Sequence, residues 1–269
     1  MPEIDLSTFT PVSTEGHSSK GNQPKWYADG YWYKADYMGY ESLSEVVVSR
    51  LLEHSNLQDF ISYEPVFIRR QGQTSIGCRS RSFQQANEML VPLERLHRAF
   101  RGRSLAEHLA TLADVSGRIS YTVSFVEQVT GLGGFGAYLC ELLELDAFLL
   151  NEDRHTNNIA VLRNEETGAF RLCPIFDNGL SLLSDLHDYP ISADLYACID
   201  RVKAKPFSAD FSEQAEAATA LFGSRLHFSL SRKDASELFE QLKPYYDENT
   251  MNRAERVLME QMRRYKYLF

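Results

Sequence analysis

Apolar and polar positions follow two regimes along this chain. Residues 26–37, WYADGYWYKADY, are aromatic-rich strand segments on either side of Asp29-Gly30, a dipeptide that favours a two-residue hairpin. That turn puts Lys34 on the second strand. In residues 42–54, SLSEVVVSRLLEH, apolar side chains at Leu43, Val46, Val47, Leu51 and Leu52 have helical spacing, with Ser42 or Ser44 as the expected cap and Glu45 on the helix. Residues 63–70 and 74–83, YEPVFIRR and TSIGCRSRSF, read as two further strands separated by Gln71-Gly72-Gln73. From Leu93 onward helical patterns dominate, among them SLAEHLATL, GAYLCELLELDAFLL, FSEQAEAATALF and the last thirty residues. The exception is IAVLRNEETGAFRLCPIF, two alternating runs about a turn at residues 165–168. The pattern predicts an α+β protein with a small sheet and one helix in residues 1–83 and a larger helical part in residues 84–269, joined near residues 82–88.

The chain has 269 residues and 43% hydrophobic content, enough for a sizeable core. A net charge of −9 argues against a general binder of nucleic acid or of membrane surfaces, both of which need a positive field. Cys78, Cys140, Cys173 and Cys198 are scattered without CxxC pairing, the usage of reduced cysteines in a cytosolic protein, and zinc is not expected. The opening residues have no apolar core for a signal peptide, and the strongest apolar run is broken by Glu141, Glu144 and Asp146. No membrane segment and a cytoplasmic setting are expected, with a non-classical route of secretion left open.

The chemistry concentrates in residues 146–179. An apolar helix delivers the chain into Asp153-Arg154-His155, Asn158 follows five positions after the aspartate, and a predicted hairpin returns to Asp177-Asn178-Gly179. Either Asp153 or Asn158 alone reads equally well as a helix or turn cap. Two carboxylates and an amide on two loops are also hard-oxygen ligands suited to Mg²⁺ and a phosphate.

DRHTNN followed by PIFDNG resembles the catalytic and metal-binding loops of the HipA-like (CtkA-like) serine/threonine protein kinases of bacteria, and more distantly the corresponding motifs of phosphoinositide kinases. The order is D-R-H rather than the H-R-D of eukaryotic protein kinases. The resemblance implies a two-lobed protein-kinase-like fold, ATP and Mg²⁺ as cofactors, and phosphoryl transfer to serine or threonine hydroxyls of a protein substrate. It makes Asp153 the catalytic base, Asn158 and Asp177 the metal ligands, and Lys34 the phosphate-contacting lysine oriented by Glu45. Glu41 is the rival partner for Lys34, and a solvent-facing strand lysine is the plainer reading of Lys34 itself. Arg154 and His155 shape the catalytic loop, with His155 near the phosphate.

Residues 18–25, SSKGNQPK, resemble the family's phosphate-covering loop, where backbone N–H groups around Gly21 approach phosphate oxygens and Ser18 or Ser19 is the candidate for inhibitory autophosphorylation. The alternative is an N-terminal tail. Residues 77–83, GCRSRSF, resemble the segment whose backbone meets the adenine, which brings in Cys78 and Ser80; a plain edge strand is the competing reading. The family's full-length toxins carry an N-terminal subdomain for which this sequence has no room, so an antitoxin-like partner is an open expectation and the shorter members are the better match. Gly131, Gly133 and Gly136 spell a dinucleotide-binding fingerprint, but EQVT intervenes after SYTVSFV where a strand should end, so a tightly packed helix entrance is expected instead. VKAKPFSADF also looks like a segment common in the family. Its Lys203 and Lys205 read as a solvated face, or as a basic site for an acidic substrate. The rival functions are a lipid or small-molecule kinase with the same site and a non-enzymatic nucleotide-binding module that partners a toxin.

Overall fold

A computed structural model describes residues 3–12 and 23–269. In chain order its elements are β1 Glu3–Asp5, β2 Lys25–Ala28, β3 Tyr31–Ala35, α1 Glu41–Leu52, β4 Glu64–Arg70, β5 Gln73–Arg81, β6 Glu88–Pro92, α2 Leu93–Arg101, α3 Leu105–Ala110, α4 Val115–Thr130, α5 Phe135–Leu149, β7 Ala160–Asn164, β8 Phe170–Leu172, α6 Leu195–Arg201, α7 Phe211–Phe222, α8 Arg232–Glu240 and α9 Glu248–Arg264. The α+β class and the sheet-then-helix order follow the hydrophobic pattern. By contact, however, the compact units are not the contiguous segments 1–83 and 84–269. The first comprises residues 1–82, 176–202 and 227–269, and the second residues 83–175 and 203–226. The C-terminal helices join the first unit because α8 packs against α1 and α9 against α8, which buries Leu238, Phe239, Val257 and Leu258.

The first unit is built on a five-stranded sheet in the order β1-β4-β5-β3-β2. Both of its tight hairpins turn on two residues of positive φ, Asp29 and Gly30 in one and Gln71 and Gly72 in the other, which matches the twist of the flanking strands. Trp26, Tyr33, Val66 and Ile68 form a core on this sheet that Leu6 completes. The short parallel strand β1 has no sequence signal of its own and exists through pairing with β4. α1 begins one residue before the expected start, and neither serine caps it. Its N-cap is Tyr40, with no side-chain cap bond. Ser42 instead donates its backbone N–H and its hydroxyl to Asp36, at 2.6 and 2.8 Å, and the Ser44 hydroxyl donates to the Ser181 carbonyl.

In the second unit the β7–β8 hairpin gains a third strand, β6, through antiparallel pairing with β7. α5 is almost wholly buried, with Leu139, Leu142, Leu143, Phe148 and Leu149 in the core; such side chains contribute roughly 1.5–3 kcal/mol each. The glycine triplet is helical punctuation. Gly131 closes α4 in the left-handed conformation, and Gly136 lies where a Cβ would stand 2.5 Å from the Phe222 ring of α7. Among the described residues no helix is long and apolar enough to cross a membrane.

Gly77 on β5 sits where a Cβ would stand 2.3 Å from the Lys34 carbonyl oxygen and 2.7 Å from Ile68. Backbone cannot yield as a side-chain tip can, so Gly77→Ala is expected to destabilise the protein by roughly 1–3 kcal/mol, as core overpacking does. Urea unfolding measures this, and an unchanged midpoint would show that the strands part freely there.

Candidate functional site

The first unit brings Lys34, Glu45 and Asp177 together. β3 carries Lys34, α1 carries Glu45, and Asp177 lies in the loop after Phe176 with φ of 60°. The Lys34 ammonium donates to Glu45 Oε1 and to Asp177 Oδ1, the latter at 2.8 Å, above the Tyr63 ring at 5.1 Å. The other oxygen of Glu45, Oε2, accepts the Asn178 backbone N–H at 2.9 Å. One carboxylate thus ties a strand, a helix and the DNG loop together. Burial would lower the Lys34 pKa, but the carboxylates of Asp177 and then Glu45 outweigh it and hold the group well above the ordinary lysine value. Lys25, at the start of β2, stands 3.7 Å from Asp177 Oδ1, so two ammonium groups face two carboxylates and the charges balance.

Glu41, the rival partner, is occupied elsewhere: its carboxylate accepts the backbone N–H groups of Met38 at 2.6 Å and Gly39 at 2.9 Å. Beside it, burial and then the Glu41 charge push the Asp36 carboxyl from its ordinary 3.8 up to about 8, against the bonds from Ser42.

Cys78 and Ser80 both lie on β5. β5 lies inside the sheet, and Cys78 has Lys34 of β3 on one flank and Pro65 of β4 on the other. Its main-chain groups are engaged in the ladder and its side chain is buried, so neither the adenine contact nor the edge strand describes it. Ser80 is buried opposite Trp32 on β3. Ser18, Ser19 and Gly21 lie outside the described residues.

The second unit holds the D-R-H turn. α5 ends at Leu150 in the left-handed conformation, which reverses the chain toward Asp153. Arg154 does not face solvent. Its Nε donates to Asp146 Oδ2 at 2.9 Å, a terminal nitrogen donates to Asp146 Oδ1 at 3.1 Å, and the other reaches the Asn158 carbonyl at 3.2 Å. Asn151 bridges the same aspartate at 3.0 Å and accepts the Asp153 N–H at 3.2 Å. Burial raises the Asp146 carboxyl, opposed by Arg154 and Asn151. The Asn158 amide donates to the Asp153 carbonyl at 2.9 Å, and His155 Nε2 stands 3.6 Å from Asp153 Oδ2. This arrangement fixes where the Asp153 carboxylate is presented.

Sequence reasoning missed three residues here. Lys205 forms an ion pair with Asp153 at 3.2 Å with its side chain 40% exposed, so the solvated-face reading of this lysine is corrected. The signal is the VKAKPFSADF segment, whose lysines the sequence also allows as a local basic site. Asp146 was visible as an acid inside an apolar helix. Lys25 closes the phosphate-loop motif and was not separated from it.

No protein-family model and no curated protein matches the sequence. Among solved structures, the chain is similar to the proinflammatory kinase CtkA of Helicobacter pylori, with a TM-score of 0.63 and 15% identity over 97% of this chain and 94% of that one. The fold is therefore the α+β protein-kinase-like fold. At this identity the likeness establishes architecture, and function has to be argued from the site.

Two outcomes follow from these networks. Asp146→Asn removes the carboxylate that the buried Arg154 guanidinium spans and is expected to cost about 3–5 kcal/mol in chemical denaturation; a loss under 1 kcal/mol would mean the pair is not what holds the turn. Asp36 keeps its proton in the folded state to about pH 8 but loses it near pH 3.8 when unfolded. Its contribution to stability is greatest below the lower value and falls as pH rises to the upper one. Asp36→Asn is expected to flatten that decline, which unfolding midpoints from pH 4 to 8 would reveal.

Proposed function

We propose that this protein is an ATP- and Mg²⁺-dependent kinase of the HipA-like type, which transfers the γ-phosphoryl group to serine or threonine hydroxyls of a protein substrate and of itself. The observation that carries the reading is the buried Lys34 ammonium held between Glu45 and Asp177 beside the DNG loop. A lysine on an inner strand, fixed by a helix acid, is the arrangement that phosphoryl transfer uses to hold the α- and β-phosphates. A surface lysine needs neither carboxylate.

In this reading Lys34 binds the phosphates and Glu45 orients it. Asp153 accepts the hydroxyl proton of the substrate, while the Arg154–Asp146 pair and Asn151 hold the turn that presents it. Lys205 and His155, both beside the Asp153 carboxylate, are in this reading the groups that meet the incoming phosphoryl group. The Asp177 carboxylate and the Asn158 amide are hard-oxygen donors of the kind Mg²⁺ takes alongside phosphate oxygens. Asp177 faces two ammonium groups in this structure, so a metal there would draw it partly away from Lys34 and Lys25. When bound, Mg²⁺ supplies neutralisation of phosphate charge. The phosphate-loop serines, Ser18 and Ser19, are the proposed autophosphorylation positions.

The test is transfer of label from γ-labelled ATP to the chain and to a generic serine/threonine protein substrate. Wild type is expected to transfer, and Asp153→Asn to lose roughly 10²- to 10⁴-fold in rate while keeping its unfolding midpoint. Full activity in that variant, or labelling of lipid with none of protein, would overturn the proposal.

A further inference from the structure

The second unit carries a groove of about 340 Å³ that the phosphoryl-transfer residues do not use. Its floor is one face of the three-stranded sheet. Met89 pairs with Arg163 and Arg163 with Phe170, so the three stand in one cross-strand row, and Val91, two residues along β6, faces the same way. α2 forms the wall and contributes Arg95 and Phe100. Phe100 is 51% exposed, a large apolar side chain left in solvent beside other apolar side chains, which is how interaction surfaces differ from scattered surface residues. At this volume the groove lies at the small end of ligand pockets and has room for a few side chains.

Charge identifies the occupant. The protein carries a net charge of −9, yet both charged side chains lining the groove are arginines. Neither Arg95 nor Arg163 has an ion-pair partner among the described residues. Their neighbours do: Arg98 on the same helix pairs with Glu94 at 3.1 Å, and Arg171 on β8 pairs with Glu88 at 2.7 Å. Arg101, also on α2, meets the Gln128 amide rather than a carboxylate, and it does not line the groove. Exposed apolar surface flanked by uncompensated positive charge is complementary to a ligand that is apolar and acidic together. A nucleic acid would need a broad positive surface, which the overall charge opposes.

We propose that this groove docks a segment of a partner protein that lays apolar side chains on Met89, Phe100 and Phe170 and presents carboxylates to Arg95 and Arg163. The groove shares no residue with the candidate phosphoryl-transfer site, so docking and catalysis can each stand or fall alone.

Fluorescence anisotropy with the full chain tests this, using a fluorescein-labelled ten-residue peptide of alternating leucine and glutamate. Saturable binding is expected, with no binding of the leucine–lysine counterpart and clearly weaker binding of the serine–glutamate one. Arg95→Glu combined with Arg163→Glu should weaken the leucine–glutamate peptide by roughly tenfold or more, as loss of two partly exposed ion pairs implies. If that variant has a lowered unfolding midpoint, Arg95→Gln and Arg163→Gln remove the charges without reversing them, and the same weakening is expected. The proposal is overturned if the wild type shows no saturable binding of the leucine–glutamate peptide, if the charge-altered proteins bind it unchanged, or if a twelve-residue thymidine oligonucleotide binds more tightly. Kinase assays on the same variants keep this outcome separate from the phosphoryl-transfer reading.

Discussion

A carboxylate that is fully buried is tolerable only when each of its oxygens has a partner, and Glu45 meets that condition by joining three parts of the first unit. One oxygen takes the Lys34 ammonium and the other takes the Asn178 backbone N–H. Removing either partner would leave a charge in a low-dielectric interior, which costs far more than an ordinary hydrogen bond is worth. The strand, the helix and the DNG loop are therefore positioned together by one group. The same constraint explains why Glu41, four residues earlier on α1, serves a different purpose: its oxygens are taken by backbone N–H groups of the turn before the helix.

The second unit solves its own problem in a parallel way. The turn after α5 must carry the polar run of residues 151–158 through a buried environment, and it does so around the Arg154–Asp146 pair. The planar guanidinium spans both aspartate oxygens and a backbone carbonyl, a geometry that lysine could not reproduce. Arg154 in the D-R-H run thus acts as internal support, while the Asp153 carboxylate next to it meets Lys205 instead. Adjacent residues in one motif have opposite duties because a turn sends successive side chains in different directions.

Much of the fold was legible because it depends on local periodicity. Asp29-Gly30 specified a hairpin, the apolar spacing of residues 43–52 specified α1, and FSEQAEAATALF specified α7 to the residue. β1 and β6 were not legible, since each is short and exists only through pairing with a distant strand. The caps expected of Ser42 and Ser44 were wrong because Asp36 and the Ser181 carbonyl, set by the surrounding chain, claim those hydroxyls. The two strands that flank Cys78 were not legible because strand order within a sheet is not written in any one strand.

The candidate site divides along the same line. By itself the sequence determined which residue types were present: carboxylates at positions 153 and 177, an amide at 158, a lysine on an aromatic hairpin and an acid on the following helix. Those identities limit the chemistry, because proton acceptance and hard-metal binding each require particular atoms. Tertiary structure alone decided the pairings. It chose Glu45 over Glu41 for Lys34, brought Lys25 to Asp177 and Lys205 to Asp153, turned Arg154 inward onto Asp146, and left Arg95 and Arg163 without carboxylates. Electrostatic partnership falls off over a few ångströms and depends on burial, and neither distance nor burial between remote residues is encoded in their spacing along the chain.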